Sequence, residues 1–215
     1  MPKIHVKKGS VSLDMTAMCD VAFLLLTFFI LTAKAKPQEP VDVMIPSSIV
    51  ELPVPDVNII TILIDKPGRV FIGMDNNHNA RAEWLNQLGT NFNLTFNEEQ
   101  KKNFVNGGIL AVQANQLPQY LSADASQKKL MEEQSKGIPV DTSNTDANEL
   151  KTWILAARTA NQLANTNAGK PSEVASVVIK ADSKAPYHVI KKVLNTLEKQ
   201  NVNRFSLLTT QGSRN

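Results

Sequence analysis

The chain has 215 residues, 42% hydrophobic and 20% charged, a balance that suits a folded protein and excludes an intrinsically disordered one. Its 23 basic and 20 acidic residues leave a net charge of +3, too even for the basic stripe of a nucleic-acid binder, so no nucleic acid is expected among its partners. One cysteine (Cys19) and three scattered histidines (His5, His78, His188) exclude an intrachain disulfide framework and fit no metal-ligand spacing. Gly-rich phosphate loops and nucleophile motifs are also absent, so neither a cofactor nor an enzymatic activity is expected.

Residues 1–14 read as a short tail carrying Lys3, Lys7 and Lys8. Val21 to Ala33 is an uncharged run of 13 residues, too short for a bilayer core that needs about 20. Extending it back to Met15 gives a span over 15–33, roughly 28 Å of helix, and places Asp20 inside it. A carboxylate at the middle of a bilayer costs about 2.5–3.5 kcal/mol on insertion scales, so something must solvate or pair it. Three plainer readings compete. A cleavable signal peptide would use the N-terminal lysines and the Ala33-Lys34-Ala35 site, but Asp14 and Asp20 oppose it. A simple anchor would leave Asp20 irrelevant. A buried soluble helix would need a solvent face, which the run from Leu24 to Leu31 lacks.

At about 100° per residue, Thr16, Asp20, Leu24, Thr27 and Leu31 fall on one stripe roughly 80° wide. Polar groups in membrane helices face protein or a water-filled path, and this spacing is also the seam of a left-handed helix pair. Asp20 is therefore expected to point into an assembly with other helices. Thr16 and Thr27 either line a water-filled path with it or serve ordinary packing with Leu24 and Leu31. The lysine count favours a cytoplasmic N-terminus only slightly.

Residues 34–57 contain Pro37, Pro40, Pro46, Pro53 and Pro55, the composition of a semi-rigid linker. Within it, Val41 to Ile45 reads equally as a short strand or as extended linker. Residues 58–215 read as one α+β domain with a helical or irregular insertion over about 75–170. Asn58 to Ile64 and Val70 to Ile72 predict a hairpin around Lys66-Pro67-Gly68. Glu83 to Leu88 predicts a short helix, and Asn97 caps another. From there to about Asn144 the pattern shows little periodicity. Asp146 with Glu149 predicts a capping box opening a helix to about Leu163, with Leu150, Trp153, Ile154, Ala157 and Leu163 buried. Trp153 reads as core in preference to an interface anchor. Val174 to Lys180 predicts a buried strand, Pro186 to Gln200 an amphipathic helix, and Arg204 to Thr209 a closing strand. Asp182 lies between strand and helix, as a turn or cap. The fold class is thus a single N-terminal transmembrane helix followed by an α+β domain with one small sheet and packed helices.

Three stretches carry a family likeness. Asp14-Met15-Thr16-Ala17-Met18-Cys19-Asp20-Val21, followed by Ala22 to Phe29, resembles the ExbD/TolR family, in which a Thr-Pro pair precedes an intramembrane Asp-Val. Ala17 stands where that family usually has proline. Val177 to Asp182, Ala185-Pro186-Tyr187, Val193 to Leu197 and Val202 to Leu208 resemble its C-terminal strand–helix–strand. Asp65 to Val70 is similar to its hairpin turn. Between Gly73 and Glu173 the family normally has a short connection, whereas about a hundred residues intervene here, an insertion of extra helices.

The resemblance implies an inner-membrane protein of a Gram-negative bacterium, with its N-terminus cytoplasmic and its domain periplasmic. It implies an ExbB-like channel-forming partner, a second copy of the chain and a TonB-like periplasm-spanning partner, with Asp20 carrying protons that energise outer-membrane transport. Two alternatives stay open. A TolR-like subunit would serve envelope maintenance, with cell-wall contact. A membrane-anchored periplasmic binding module would have no proton role.

Overall fold

In the computed structural model, residues 15–33, 40–41, 43–44, 47–48, 57–141, 148–169, 174–202, 205–208 and 210–211 are described. The N-terminal tail and Pro37, Pro46, Pro53 and Pro55 of the linker lie outside them. The chain divides into two compact units, 1–36 and 37–215.

The first unit holds α1, Met15–Thr32, 18 residues long or about 27 Å of helix. Its large side chains, from Met15 to Leu31, are all exposed, and no residue of it is buried. By length and composition it is a helix that can cross a membrane.

In the second unit, β2 (Ile59–Ile64) and β3 (Val70–Met74) form an antiparallel hairpin. Gly68 adopts φ 88°, and its N–H donates to the Asp65 carbonyl at 2.9 Å. That φ favours glycine, and a Cβ there would also crowd Val189 Cγ2 at 3.1 Å and the Pro186 ring at 3.3 Å. β4 (Ser176–Ala181) runs parallel to β2 and, through α7 (Tyr187–Lys199), connects to the parallel β5 (Phe205–Leu207). The sheet order is β3-β2-β4-β5. A second, two-stranded pairing joins β1 (Ser47–Ser48) to β6 (Thr210–Gln211) in parallel.

Between β3 and β4 the chain builds α2 (His78–Phe92), α3 (Glu98–Asn106), a 3-10 turn (Ala114–Gln116), α4 (Leu117–Ser122), α5 (Ala125–Gln134) and α6 (Glu149–Asn167). The main core takes Ile60, Ile62 and Ile64 of β2 and Val177 and Ile179 of β4, the alternate residues of each strand, against α2, α6 and α7. Trp84 and Trp153 meet edge to face at 5.8 Å, and the Trp84 indole N–H donates to the Trp153 carbonyl at 3.2 Å. Trp153 is fully buried, so its role as core holds. The opposite sheet face carries Leu63 and Phe71, covered by Ala111, Ile109, Val41 and Val43. Burial on both faces explains why β2 reads as a continuous apolar run.

Several elements differ from expectation. Val41 and Val43 are not in a strand; they dock on the sheet while the backbone of Met44 is taken by Asp182 and Ser183, and the first strand among the described residues is Ser47–Ser48. Ile45 lies outside the described residues. The short helix over Glu83 to Leu88 extends to both sides, from the Asn77 cap to a left-handed Asn93. α3 opens as expected at Asn97, in a capping box completed by Gln100. The stretch after it, aperiodic in sequence, holds α4 and α5. α6 is capped by Asn148, not by a box from Asp146, which lies outside the described residues. The Glu149 carboxylate accepts from the Ala114 N–H at 2.7 Å instead, tying the 3-10 turn to α6. Burial raises that carboxyl, against the Ala114 N–H and the nearby Trp153 indole. Leu163 is 40% exposed and Val174 55% exposed, so neither joins the core. Arg204 and Thr209 lie outside the described residues.

Candidate functional site: the carboxylate of the apolar helix

Thr16, Asp20, Leu24, Thr27 and Leu31 all lie in the unbroken α1, so the helical stripe joins them on one side. Asp20 is the only charged residue in that helix and sits about a turn and a half from its start. The threonines differ from it chemically. Thr27 Oγ1 donates to the Leu24 carbonyl at 2.9 Å, and Thr32 Oγ1 to the Phe28 carbonyl at 2.8 Å. A hydroxyl thus satisfies itself within its own helix. An ionised carboxylate has no proton to donate, and the backbone N–H groups around it are spent in the helix ladder. Asp20 therefore depends on a donated hydrogen bond, water or proton, for which its own helix offers the Thr16 hydroxyl one turn away, whereas Thr27 is satisfied by a backbone carbonyl. Leu24 and Leu31, 57% and 85% exposed, continue the same side and give a partner helix an apolar surface to pack on.

The second unit carries two junctions that tie distant segments together. Asp182, at the end of β4, accepts the Lys184 N–H through Oδ1 at 2.8 Å and the Met44 N–H through Oδ2 at 3.0 Å. The Ser183 N–H donates to the Met44 carbonyl at 2.8 Å. These bonds, with the charges of Lys184 and Lys66, hold the Asp182 carboxyl below the usual carboxylate range, the Lys184 N–H foremost and burial opposing. The turn role expected for Asp182 is present. Its bond to Met44, 138 residues away, had no signal in the sequence. A second such lock joins the hairpin to the helical crossover: Arg69 pairs with the buried Asp65 at 2.7 Å and donates through Nη1 to the carbonyls of Glu132, Glu133 and Ser135, at the C-terminal end of α5. Among the described residues no group of three or more His, Cys, Asp or Glu side chains is arranged to hold a metal.

The family model described as biopolymer transport protein ExbD/TolR matches residues 6–212. The chain belongs to the ExbD/TolR family. The limits of the match enclose the apolar helix and all but the last three residues of the second unit, long crossover included. No curated relative and no solved structure matches the chain. As an ExbD/TolR protein it is a biopolymer-transport subunit of a membrane complex, with partners of the ExbB/TolQ type, in a family of transport subunits and not of enzymes. One N-terminal apolar helix and this membership fit a single-pass protein of the inner membrane.

Proposed function

We propose that this ExbD/TolR protein is the proton-coupled subunit of an ExbB–ExbD–TonB type complex, and that Asp20 is its proton carrier. The observation that carries the reading is the lone carboxylate of α1, the one charged side chain in an otherwise apolar helix. Helices of an ExbB-like partner and of a second copy of the chain enclose it. Asp20 takes a proton from the periplasmic side and releases it to the cytoplasm. Each proton that crosses supplies about 2.3 kcal/mol per 100 mV of membrane potential, and the titration of one fixed side chain couples that passage to movement of the helix. The stripe of Thr16, Leu24, Thr27 and Leu31 gives the surface on which α1 packs. The domain lies in the periplasm and passes the movement to a TonB-like protein, which energises transport across the outer membrane. The domain's two locks, at Asp182 and at Arg69, support this role by tying distant segments into a body able to transmit force.

The test is energy-dependent uptake by an outer-membrane transporter in cells carrying Asp20→Asn, with assembly checked by co-purification of the channel partner. Asparagine keeps the size of the acid and cannot titrate. Lost uptake with the complex intact is the expected result. Normal uptake excludes Asp20 as the carrier for this transport, and an Asp20-dependent envelope defect alone would assign the chain a TolR-like task instead.

A further inference from the structure

β2 and β4 are parallel, so the turns at their C-terminal ends lie at the same end of the sheet. The first turn carries Lys66 and the second Lys184, both exposed. They are close enough to Asp182 to act on it electrostatically, yet among the described residues neither is in an ion pair. Gly68 packs against Pro186 and Val189, which brings the hairpin tip against the start of α7. There Tyr187 is 74% exposed and His188 is exposed, with exposed Lys191 one turn along.

Among the described residues, the carboxylates of the two turns themselves are turned inward. Asp65 is 1% exposed and paired with Arg69, and Asp182 accepts two backbone N–H groups. Glu198, the acid of α7, is exposed about 16 Å further along the helix axis from Tyr187. Among the described residues, the solvent side of these two turns and of the start of α7 is therefore cationic, with an exposed tyrosine. Met44, whose backbone is clamped to Asp182 and Ser183, adds a side chain 75% exposed.

Met44 is also where the tether arrives. Only residues 34–43 separate it from the end of the apolar segment, and ten residues reach no more than about 36 Å fully extended. Lysines that meet lipid phosphates, an aromatic with a polar tip and an adaptable apolar side chain are the groups that sit well at a bilayer surface. We propose that this end of the domain docks on anionic phospholipid headgroups of the bilayer that holds the apolar helix, through Lys66, Lys184, Lys191 and Tyr187. The inference rests on the membrane anchor and is independent of proton transfer at Asp20.

The test uses the full chain in nanodiscs of phosphatidylcholine alone, or with about a third phosphatidylglycerol. A fluorophore is placed by Ser183→Cys in a Cys19→Ser background, and energy transfer to a headgroup dye is read. Transfer should rise with phosphatidylglycerol and fall again in high salt. Each lysine near an anionic surface contributes roughly fivefold, so Lys66→Gln, Lys184→Gln and Lys191→Gln together should lower the docked-to-free ratio on the order of a hundredfold. These side chains are exposed, so folding should be kept, which the fluorescence of buried Trp84 and Trp153 checks. Equal transfer on both lipid compositions, or no change in the triple variant, overturns the proposal. If the lysines instead govern co-sedimentation with isolated cell wall while the discs show no charge dependence, the partner is cell wall and the lipid assignment is wrong.

Discussion

Replacing Arg69 by methionine should loosen the join between the hairpin and the helical crossover. Arg69 Nε donates to Asp65 Oδ2 at 2.7 Å, and Nη1 reaches the carbonyls of Glu132 and Glu133 at 3.1 Å and of Ser135 at 3.3 Å. Methionine keeps an apolar stem against Phe71, whose ring now lies 5.5 Å from the guanidinium carbon. It leaves Asp65, 1% exposed, with the residue-69 backbone N–H as its remaining side-chain donor. Removing one partner of a buried pair costs about 3–5 kcal/mol. The Arg69 side chain is 22% exposed, so water reaches the gap, and the lower end, about 3 kcal/mol, is expected. For a domain of this size that is a fall in Tm of roughly 6–12 °C. Tryptophan fluorescence is the assay, because Trp84 and Trp153 are the only tryptophans and both lie in the second unit. Adding Asp65→Asn should restore part of the loss, since the buried charge goes with its partner. A fall of less than about 2 °C, or additive single losses, would refute a desolvated pair at this position.

Gly137 has φ 74°, and a Cβ there would meet the Val70 backbone N and O at 2.8 and 2.9 Å. Gly137→Ala should therefore cost more than the roughly 1–2 kcal/mol of a left-handed alanine, read in the same melt, and should expose the Ile138 amide, now bonded to Val70, to hydrogen exchange. The Asp182 carboxyl titrates lower in the folded chain than in the unfolded one. Its stabilisation is thus present above the unfolded value, near 4, and is lost as pH falls through the lower folded value. NMR shifts of the Met44 and Lys184 amides should follow that acid transition, and Asp182→Asn should abolish it. Asn148→Ala removes the cap of α6 and the partner of Thr196, bonded at 2.9 Å, so a loss of about 1–2 kcal/mol is expected in denaturant titration. No change there would mean that the cap is redundant.

The elements that could be read ahead of the structure have strong local patterns. The isoleucine-rich β2, the Lys66-Pro67-Gly68 turn and the apolar spacing of α7 each signal themselves within a dozen residues. α4 and α5 do not. α4 is 6 residues long and buries Leu117, Tyr120 and Leu121 together, too short a run to reveal a period, while α5 buries no residue at all. The cap of α6 is hard to place from sequence because Asp146 with Glu149 matches the box pattern, while the working cap is Asn148 and Glu149 is drawn away to Ala114. The locks were illegible for another reason: Met44 with Asp182, and Arg69 with Ser135, are joined only by folding. At the membrane the legibility is better. A carboxylate inside an apolar helix is costly wherever it occurs, so Asp20 stands out in sequence, and its place in α1 adds the chemical contrast with the self-satisfied Thr27.

The central claim is that Asp20 carries the proton, and proton flux tests it most directly. The chain, assembled with its channel partner in vesicles, would be given a potassium-diffusion potential, and internal pH followed by an entrapped dye. Wild type should conduct, Asp20→Glu should retain part of the flux because a carboxylate remains, and Asp20→Asn should fall to the leak of empty vesicles. Conduction by Asp20→Asn at the wild-type rate, with the complex intact, would contradict the account.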